Sequence, residues 1–221
     1  MHIEKKRLKD PLSSHTLLVV IDVLRAFTTA AFAFGGGAAK ILVTRTVQEA
    51  LDLHLHHPHA LLLGEENGIP IPNFHLANSP AQMLTTPLQA ATIIQRTTCG
   101  TQGLLLTTTT HTLAASFVVA EATYKHILHL APTHLTLLIT GHDDADEDAA
   151  LADYLELKLQ GHNPPLAPFL QRVQTSSLAR KFLSWQNPRL TQDLHLAQQA
   201  NHFPFAMQLT NRNVLTPVYP A

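Results

Sequence analysis

Cysteine is nearly absent: Cys99 is the single one in 221 residues. One thiol excludes an intramolecular disulfide framework and any thiolate-rich zinc site built within one chain, and it fits a reducing cytosol. Charge is scarce as well. Asp, Glu, Lys and Arg make up 14% of the residues and the formal net charge is −1, which leaves neither the basic footprint of a nucleic-acid binder nor an acidic tail. No apolar run reaches membrane-spanning length, and the basic start at residues 1–7 meets Asp10 and Pro11 rather than the apolar core of a signal peptide. The expectation is a soluble cytoplasmic protein, with neither nucleic acid nor membrane as a partner, whose function lies in local groupings of residues.

Nucleotide-binding signatures are missing too. Gly35, Gly36 and Gly37 follow a predicted helix rather than a strand, so they close that helix instead of forming a dinucleotide fingerprint, and no Lys followed by Ser or Thr completes a P-loop. The abundant histidines, His54, His56, His57 and His59 foremost, surround Pro58 in a predicted loop and lack the helical spacing of a zinc pair, which favours a structural role.

Apolar residues form 45% of the chain, enough for a substantial core in one large or two small domains. Apolar runs alternate with helical periodicity, predicting an α/β fold with a mostly parallel sheet covered by helices on both faces. Strands are expected near residues 17–21, 40–43, 60–63, 92–95, 114–117 and 135–140. Helices are expected at 24–34, 47–55, after Ser79, after Thr101, and at 118–130 and 146–160. The break His162-Asn163-Pro164-Pro165 divides an α/β core, residues 1–161, from a C-terminal helical region, residues 162–221, with helices at 167–183 and 191–200 packed on the core as a subdomain or cover. The threonine run 107–110 reads as a loop or strand edge.

Chemistry gathers where predicted strands end. The apolar run from Leu17 closes on Asp22, with Arg25 at the start of the next helix; in α/β proteins the carboxyl ends of parallel strands open onto the ligand crevice. A purely structural helix N-terminal carboxylate is the alternative for Asp22. After the third strand comes Gly64-Glu65-Glu66-Asn67-Gly68, whose acids suit a hard cation such as Mg²⁺. It leads to Asn78-Ser79-Pro80, where Asn78 is either a helix N-cap or a ligand contact. Arg96-Thr97-Thr98-Cys99-Gly100-Thr101 combines hydroxyls, a glycine and helix N-terminal amides into a candidate anion cradle, or into a threonine-capped helix start. Gly141 to Asp148 is densely acidic, either as a solvated helix start or as further carboxylates around the crevice, whose mutual repulsion a divalent metal would relieve. Hard-metal carboxylates beside an anion cradle and an arginine are what phosphoryl transfer to water requires.

These residues resemble the 2-phosphosulfolactate phosphatases, the Mg²⁺-dependent hydrolases of coenzyme M biosynthesis, over residues 15–160. The likeness rests on Val20-Ile21-Asp22-Val23-Leu24-Arg25-Ala26 with Thr28-Thr29, then Gly64-Glu65, Asn78-Ser79-Pro80, Thr97-Thr98 with Gly100-Thr101, Ser116-Phe117, and Glu147-Asp148. It implies cleavage of 2-phospho-3-sulfolactate to sulfolactate and phosphate on an α/β fold. By that resemblance Asp22, Arg25 and Glu65 carry the chemistry, and Asp22, Glu65, Glu147 and Asp148 hold Mg²⁺. Thr28, Asn78, Ser79, Thr97, Thr98, Gly100 and Thr101 bind a small phosphorylated organic acid. The chain departs from the family pattern at Glu66, where an Arg is common, at His75 and Cys99, and at Val119, where an Asn is usual. A carboxylate at position 66 would repel a phosphate or sulfonate.

Rival readings rest on the same residues. A haloacid-dehalogenase-like phosphatase would carry a second Asp where Leu24 stands. An isochorismatase-like hydrolase would use Cys99 as a thiolate with its pKa lowered at a helix N-terminus, although no lysine lies at a comparable strand end. A member that binds phosphoanions without turnover would keep the cradle alone. A homodimer is open, since the helix at 118–130 suits either a partner or the sheet.

Overall fold

Every residue of Leu17–Ile21 is buried because both faces of that strand are covered. Leu18 and Val20 enter one core with Phe27, Ala30 and Ala31, while Leu17, Val19 and Ile21 enter a second with Leu151, Val173 and Leu194. The same alternation runs through 40–44 and 92–96: Ile41, Val43 and Ile93 face the first core, Leu42 and Ile94 a third, smaller one around Ala50. Side chains at successive strand positions point to opposite faces, so a continuous apolar run is the mark of a sheet with helices on both sides.

The computed structural model describes residues 1–12, 16–106, 111–141 and 144–220. The threonine run 107–110, read above as a loop or strand edge, lies outside the described residues, as do His142 and Asp143 of the acidic cluster. In chain order the elements are β1 (His2–Arg7), β2 (Leu17–Ile21), α1 (Ala26–Gly35), β3 (Lys40–Thr44), α2 (Val47–His56), β4 (Leu61–Glu66), β5 (Ile69–Pro70), β6 (Leu76–Ala77) and α3 (Pro80–Met83). There follow β7 (Thr92–Arg96), α4 (Gly100–Leu104), β8 (Thr112–Ala115), a 3₁₀ turn (Phe117–Val119), α5 (Ala120–Leu130), β9 (His134–Ile139) and α6 (Asp146–Leu159). The last are α7 (Ala167–Thr175), α8 (Ser177–Ser184), α9 (Pro188–Ala197), β10 (Ala206–Thr210) and β11 (Val214–Val218). No helix among the described residues is long and apolar enough to cross a membrane.

The expected α/β fold with a mostly parallel sheet is observed. Five strands were not foreseen, the two-residue β5 and β6 beside β4 among them. β1 pairs parallel with β9 at one edge, and the charged sequence HIEKKR hid it; Lys5 is held by Asp153 and Glu156 of α6. The hairpin β10–β11 lies between β8 and β3, antiparallel to both, so residues 162–221 are not helical throughout. The single helix expected at 167–183 is two, because Ser176 adopts an extended backbone (ψ 159°) and caps α8 by accepting from the Ala179 amide at 3.1 Å. The last helix begins at Pro188 rather than 191, with Asn187 Oδ1 accepting from the Arg189 amide at 3.0 Å.

The hairpin also reverses the sheet. β1, β9, β2 and β8 form one parallel block and β3, β7 and β4 another, and the antiparallel pair between them makes the two blocks run in opposite directions along the ladder. In a flat sheet the carboxyl ends of β2 and β4 would emerge at opposite edges. Six strand-to-strand steps at the usual twist turn the sheet by about 120–150°, and this coiling brings the two ends back toward one another.

Candidate active site

Asp22 after β2, Glu65 in β4, Thr98 and Cys99 after β7, and Glu147 and Asp148 in the first turn of α6 line one cavity of about 370 Å³. Asp22 Oδ1 accepts the Ala26 amide at 2.9 Å at the start of α1, and among the described residues its Oδ2 has only a long contact, 3.4 Å, from the Thr140 hydroxyl. Burial, with the facing Glu65 and Glu147 carboxylates, pushes the Asp22 carboxyl up to about 7, against the amide's pull in the other direction. Gly100 is required here by space: a Cβ would stand 2.8 Å from Asp22 Oδ2 and 2.7 Å from the Ala26 side chain.

Glu65 is a cross-brace. Its Oε1 accepts the Thr98 amide at 2.5 Å, and its Oε2 accepts the Gly68 amide at 2.6 Å and the Thr98 hydroxyl at 3.1 Å, joining the β4–β5 turn to the loop after β7. The strand approach is close, since a Cβ on Gly64 would lie 2.2 Å from the Arg96 carbonyl oxygen. Asp148 does the same between β2 and β9, accepting the Val23 amide at 2.7 Å and the Gly141 amide at 3.0 Å. Burial first, then Asp22 and Glu147, hold its carboxyl above the usual range.

The acidic start of α6 divides by helical rotation. Consecutive positions turn by about 100°, so Asp146 meets Arg172 at 2.6 Å, Asp148 meets the strand-end amides, and Glu147 faces the cavity with a buried Oε2 that has no hydrogen-bond partner. Burial raises the Glu147 carboxyl, with Asp144 and Asp146 adding to it and its own amide and the Ser176 hydroxyl opposing. The four carboxylates foreseen as metal ligands therefore differ. Glu65 and Asp148 are occupied on both oxygens by protein donors, whereas Asp22 and Glu147 keep an oxygen without a close one. Among the described residues, no three His, Cys, Asp or Glu side chains form a group that could hold a metal ion. Two carboxylates suit Mg²⁺, which keeps several waters and takes the rest of its shell from phosphate.

Arg25 lines the cavity and donates from Nη1 to Asp193 Oδ2 at 2.7 Å, while Phe182 packs 4.9 Å from its guanidinium carbon. Asp193, on α9 and fully buried, also accepts from Ser79 Oγ at 2.6 Å and the Ala81 amide at 3.0 Å, fixing α1 and α3 against the C-terminal helices. A model of the 2-phosphosulpholactate phosphatase family matches residues 2–211. The chain belongs to that family. It is a family of phosphoric monoester hydrolases.

Relatives named probable 2-phosphosulfolactate phosphatase include one from Bacillus subtilis (strain 168), 36% identical over 173 residues, 77% of this chain and 76% of that one. Another from Deinococcus radiodurans is 35% identical over 145 residues, 62% and 60% of the two chains. A third, from Carboxydothermus hydrogenoformans, is 40% identical over 141 residues, 62% and 58%.

The family's threonines do not form the open cradle that the sequence suggested. The Thr97 amide donates to Thr101 Oγ1 and the Thr101 amide to Thr97 Oγ1, both at 3.0 Å, and the Thr98 amide is taken by Glu65. Thr97 and Thr101 thus satisfy each other across the start of α4, and Glu65 takes the third amide. Only Thr98 of the three faces the cavity. Thr28 and Ser79 are likewise off it: Thr28 Oγ1 donates to the Val23 carbonyl at 2.7 Å, and Ser79 caps α3, the role expected of Asn78. Asn78 instead lines the cavity with a buried, unpartnered Oδ1.

The departures from the family pattern are locally compensated. Glu66 turns away to pair with Arg96 at 2.9 Å and does not line the cavity, so the repulsion expected of it is spent on a cation. His75 Nδ1 accepts the Leu62 amide at 2.9 Å, and Val119 is buried core. Cys99 does line the cavity, but burial, with Asp22, Glu65 and Asp148 adding to it, pushes its thiol up to about 12, the opposite of the activation a cysteine hydrolase needs.

Sequence reasoning missed the far wall. Leu178, Lys181, Phe182 and Trp185 of the α8 segment, at i, i+3, i+4 and i+7, face the cavity together, as does Ser177. The available signal was a lysine set within an otherwise apolar helical stripe.

Proposed function

We propose that this chain hydrolyses 2-phosphosulfolactate to sulfolactate and phosphate with the aid of Mg²⁺ in the cytoplasm. One observation carries the reading: Asp22 and Glu147, each with an oxygen lacking a close protein donor, share a cavity with Arg25. Asp22 and Glu147 would hold the ion. Bound there, Mg²⁺ supplies positive charge to the phosphoryl oxygens and relieves the repulsion between the carboxylates.

Arg25, oriented by Asp193, sets a guanidinium against the phosphate, where planar donors and full charge favour the developing negative charge. An ionised carboxylate at the end of β2 serves either attack on phosphorus or activation of a water. Water finally supplies the oxygen that leaves as phosphate, and the ester oxygen departs as the hydroxyl of sulfolactate. Glu65 and Asp148 clamp the loops that shape the cavity.

The test is phosphate release from 2-phosphosulfolactate and from a panel of small phosphate monoesters, with Mg²⁺ and with a chelator. Metal-dependent release, fastest with the sulfonated ester, is the expected result. A folded, Mg²⁺-supplied protein that releases no phosphate from any ester would overturn the proposal.

A further inference from the structure

Among the described residues, five carboxylates line the cavity, those of Asp22, Glu65, Asp144, Glu147 and Asp148, against two cationic side chains, Arg25 and Lys181. The substrate proposed above carries a phosphate, a carboxylate and a sulfonate, so its entry requires positive charge beyond that of one ion. The amides of Thr97, Thr98 and Thr101 do not provide it, since they are consumed within the protein. Arg25 is paired with Asp193 at 2.7 Å and, in the reading above, faces the phosphate. Lys181 makes no ion pair among the described residues, and its ammonium stands 5.1 Å over the Trp185 ring.

The position of Lys181 is set by the structure around it. Ser176 caps α8, and its hydroxyl lies close enough to Glu147 to favour the ionised carboxylate, which sets the start of the helix beside the acidic wall. Phe182, only 2% exposed, packs beneath the Arg25 guanidinium one residue further on. Lys181 therefore lines the same cavity as the carboxylates, from α8, beside apolar Leu178 and Trp185. An ammonium is a point charge with three donors that can meet any oxygen of a sulfonate without the fixed two-donor geometry of a guanidinium, while the planar fork of Arg25 matches the phosphate.

Resting on the phosphatase reading, we infer that Lys181 is the specificity-determining residue that receives the sulfonate of the substrate. Its contribution appears in the preference between 2-phosphosulfolactate and 2-phospholactate, which differ by that one group. In Lys181→Ala the ratio of kcat/KM for the two esters falls about tenfold or more, as loss of a charge-assisted contact entails, with the change in KM rather than kcat. Lys181→Arg keeps most of the preference. The residue is exposed and alanine is a strong helix former, so the variant retains its fold, which its thermal midpoint checks. An unchanged ratio in Lys181→Ala overturns the inference.

Should the wild type hydrolyse neither ester, the phosphatase reading fails on its own, and the sulfonate contact is then read without turnover. Thermal stabilisation by sulfolactate over lactate in the wild type, abolished in Lys181→Ala, sustains it; equal stabilisation by the two acids, or a difference that survives the substitution, removes it.

Discussion

Asp22, Glu65 and Asp148 reach the cavity from strand ends and a helix start, each fixed by backbone amides, whereas Lys181, Phe182 and Trp185 reach it from one face of a helix late in the chain. The first wall is anionic and held by backbone amides; the second is cationic and aromatic. Only the first is shaped by hydrogen bonds to the sheet. The difference separates two tasks, since carboxylates fixed by the sheet suit a cation and a reacting phosphoryl group, while a helix face laid over them can vary with the rest of the ligand.

Asp193 is the joint between the two walls, so removing it breaks the comparison most severely. Asp193→Ala leaves Arg25 buried without its counter-charge and is expected to cost about 3–5 kcal/mol in a denaturant titration, with loss of phosphatase activity in the protein that remains folded. A loss below about 1 kcal/mol would show that α9 merely rests on the core.

The electrostatic strain of the acidic wall gives the next effect. The Asp22 carboxyl titrates near 7 in the folded protein against an ordinary 3.8, so the folded state holds a proton that the unfolded chain releases earlier. Metal-free stability is then greatest on the acid side, falls as pH rises from about 4 through 7, and levels off above that. Glu147 and Asp148 shift in the same direction. The thermal midpoint without metal should decline over that range, with Asp22→Asn flattening the decline and Mg²⁺ restoring stability more at pH 8 than at pH 5.

A smaller change distinguishes carboxylates within the wall. Glu147→Gln should weaken Mg²⁺ binding at least about tenfold by calorimetric titration, in the range seen when groups supporting a metal are lost. At the bottom of the scale stands Cys99: alkylation-proof Cys99→Ala should stay within about twofold of wild-type turnover, because a thiol held near 12 is not the nucleophile.

Much of the first wall was legible in the sequence. An apolar run ending in Asp22, a Gly-Glu after the next strand pair and an acidic helix start each announce themselves within a few residues, because strand ends and caps are local events. The coiling that unites them was not legible, since it depends on β10 and β11 entering the sheet from the far end of the chain. Nor were the separate roles of the carboxylates: which oxygens are consumed by amides follows from loop geometry, and the threonine amides read as an open cradle are closed by Thr97, Thr101 and Glu65. Lys181 and Asp193 lay in helices whose periodicity reveals a buried face without saying what that face covers.

The most direct test of the whole account compares phosphate release from 2-phosphosulfolactate by the wild type and by Asp22→Asn at saturating Mg²⁺. The account predicts robust wild-type turnover and a fall of at least about 10³-fold in a variant that remains folded, in keeping with the loss of a central electrostatic group. A variant that turns over as fast as the wild type would contradict it.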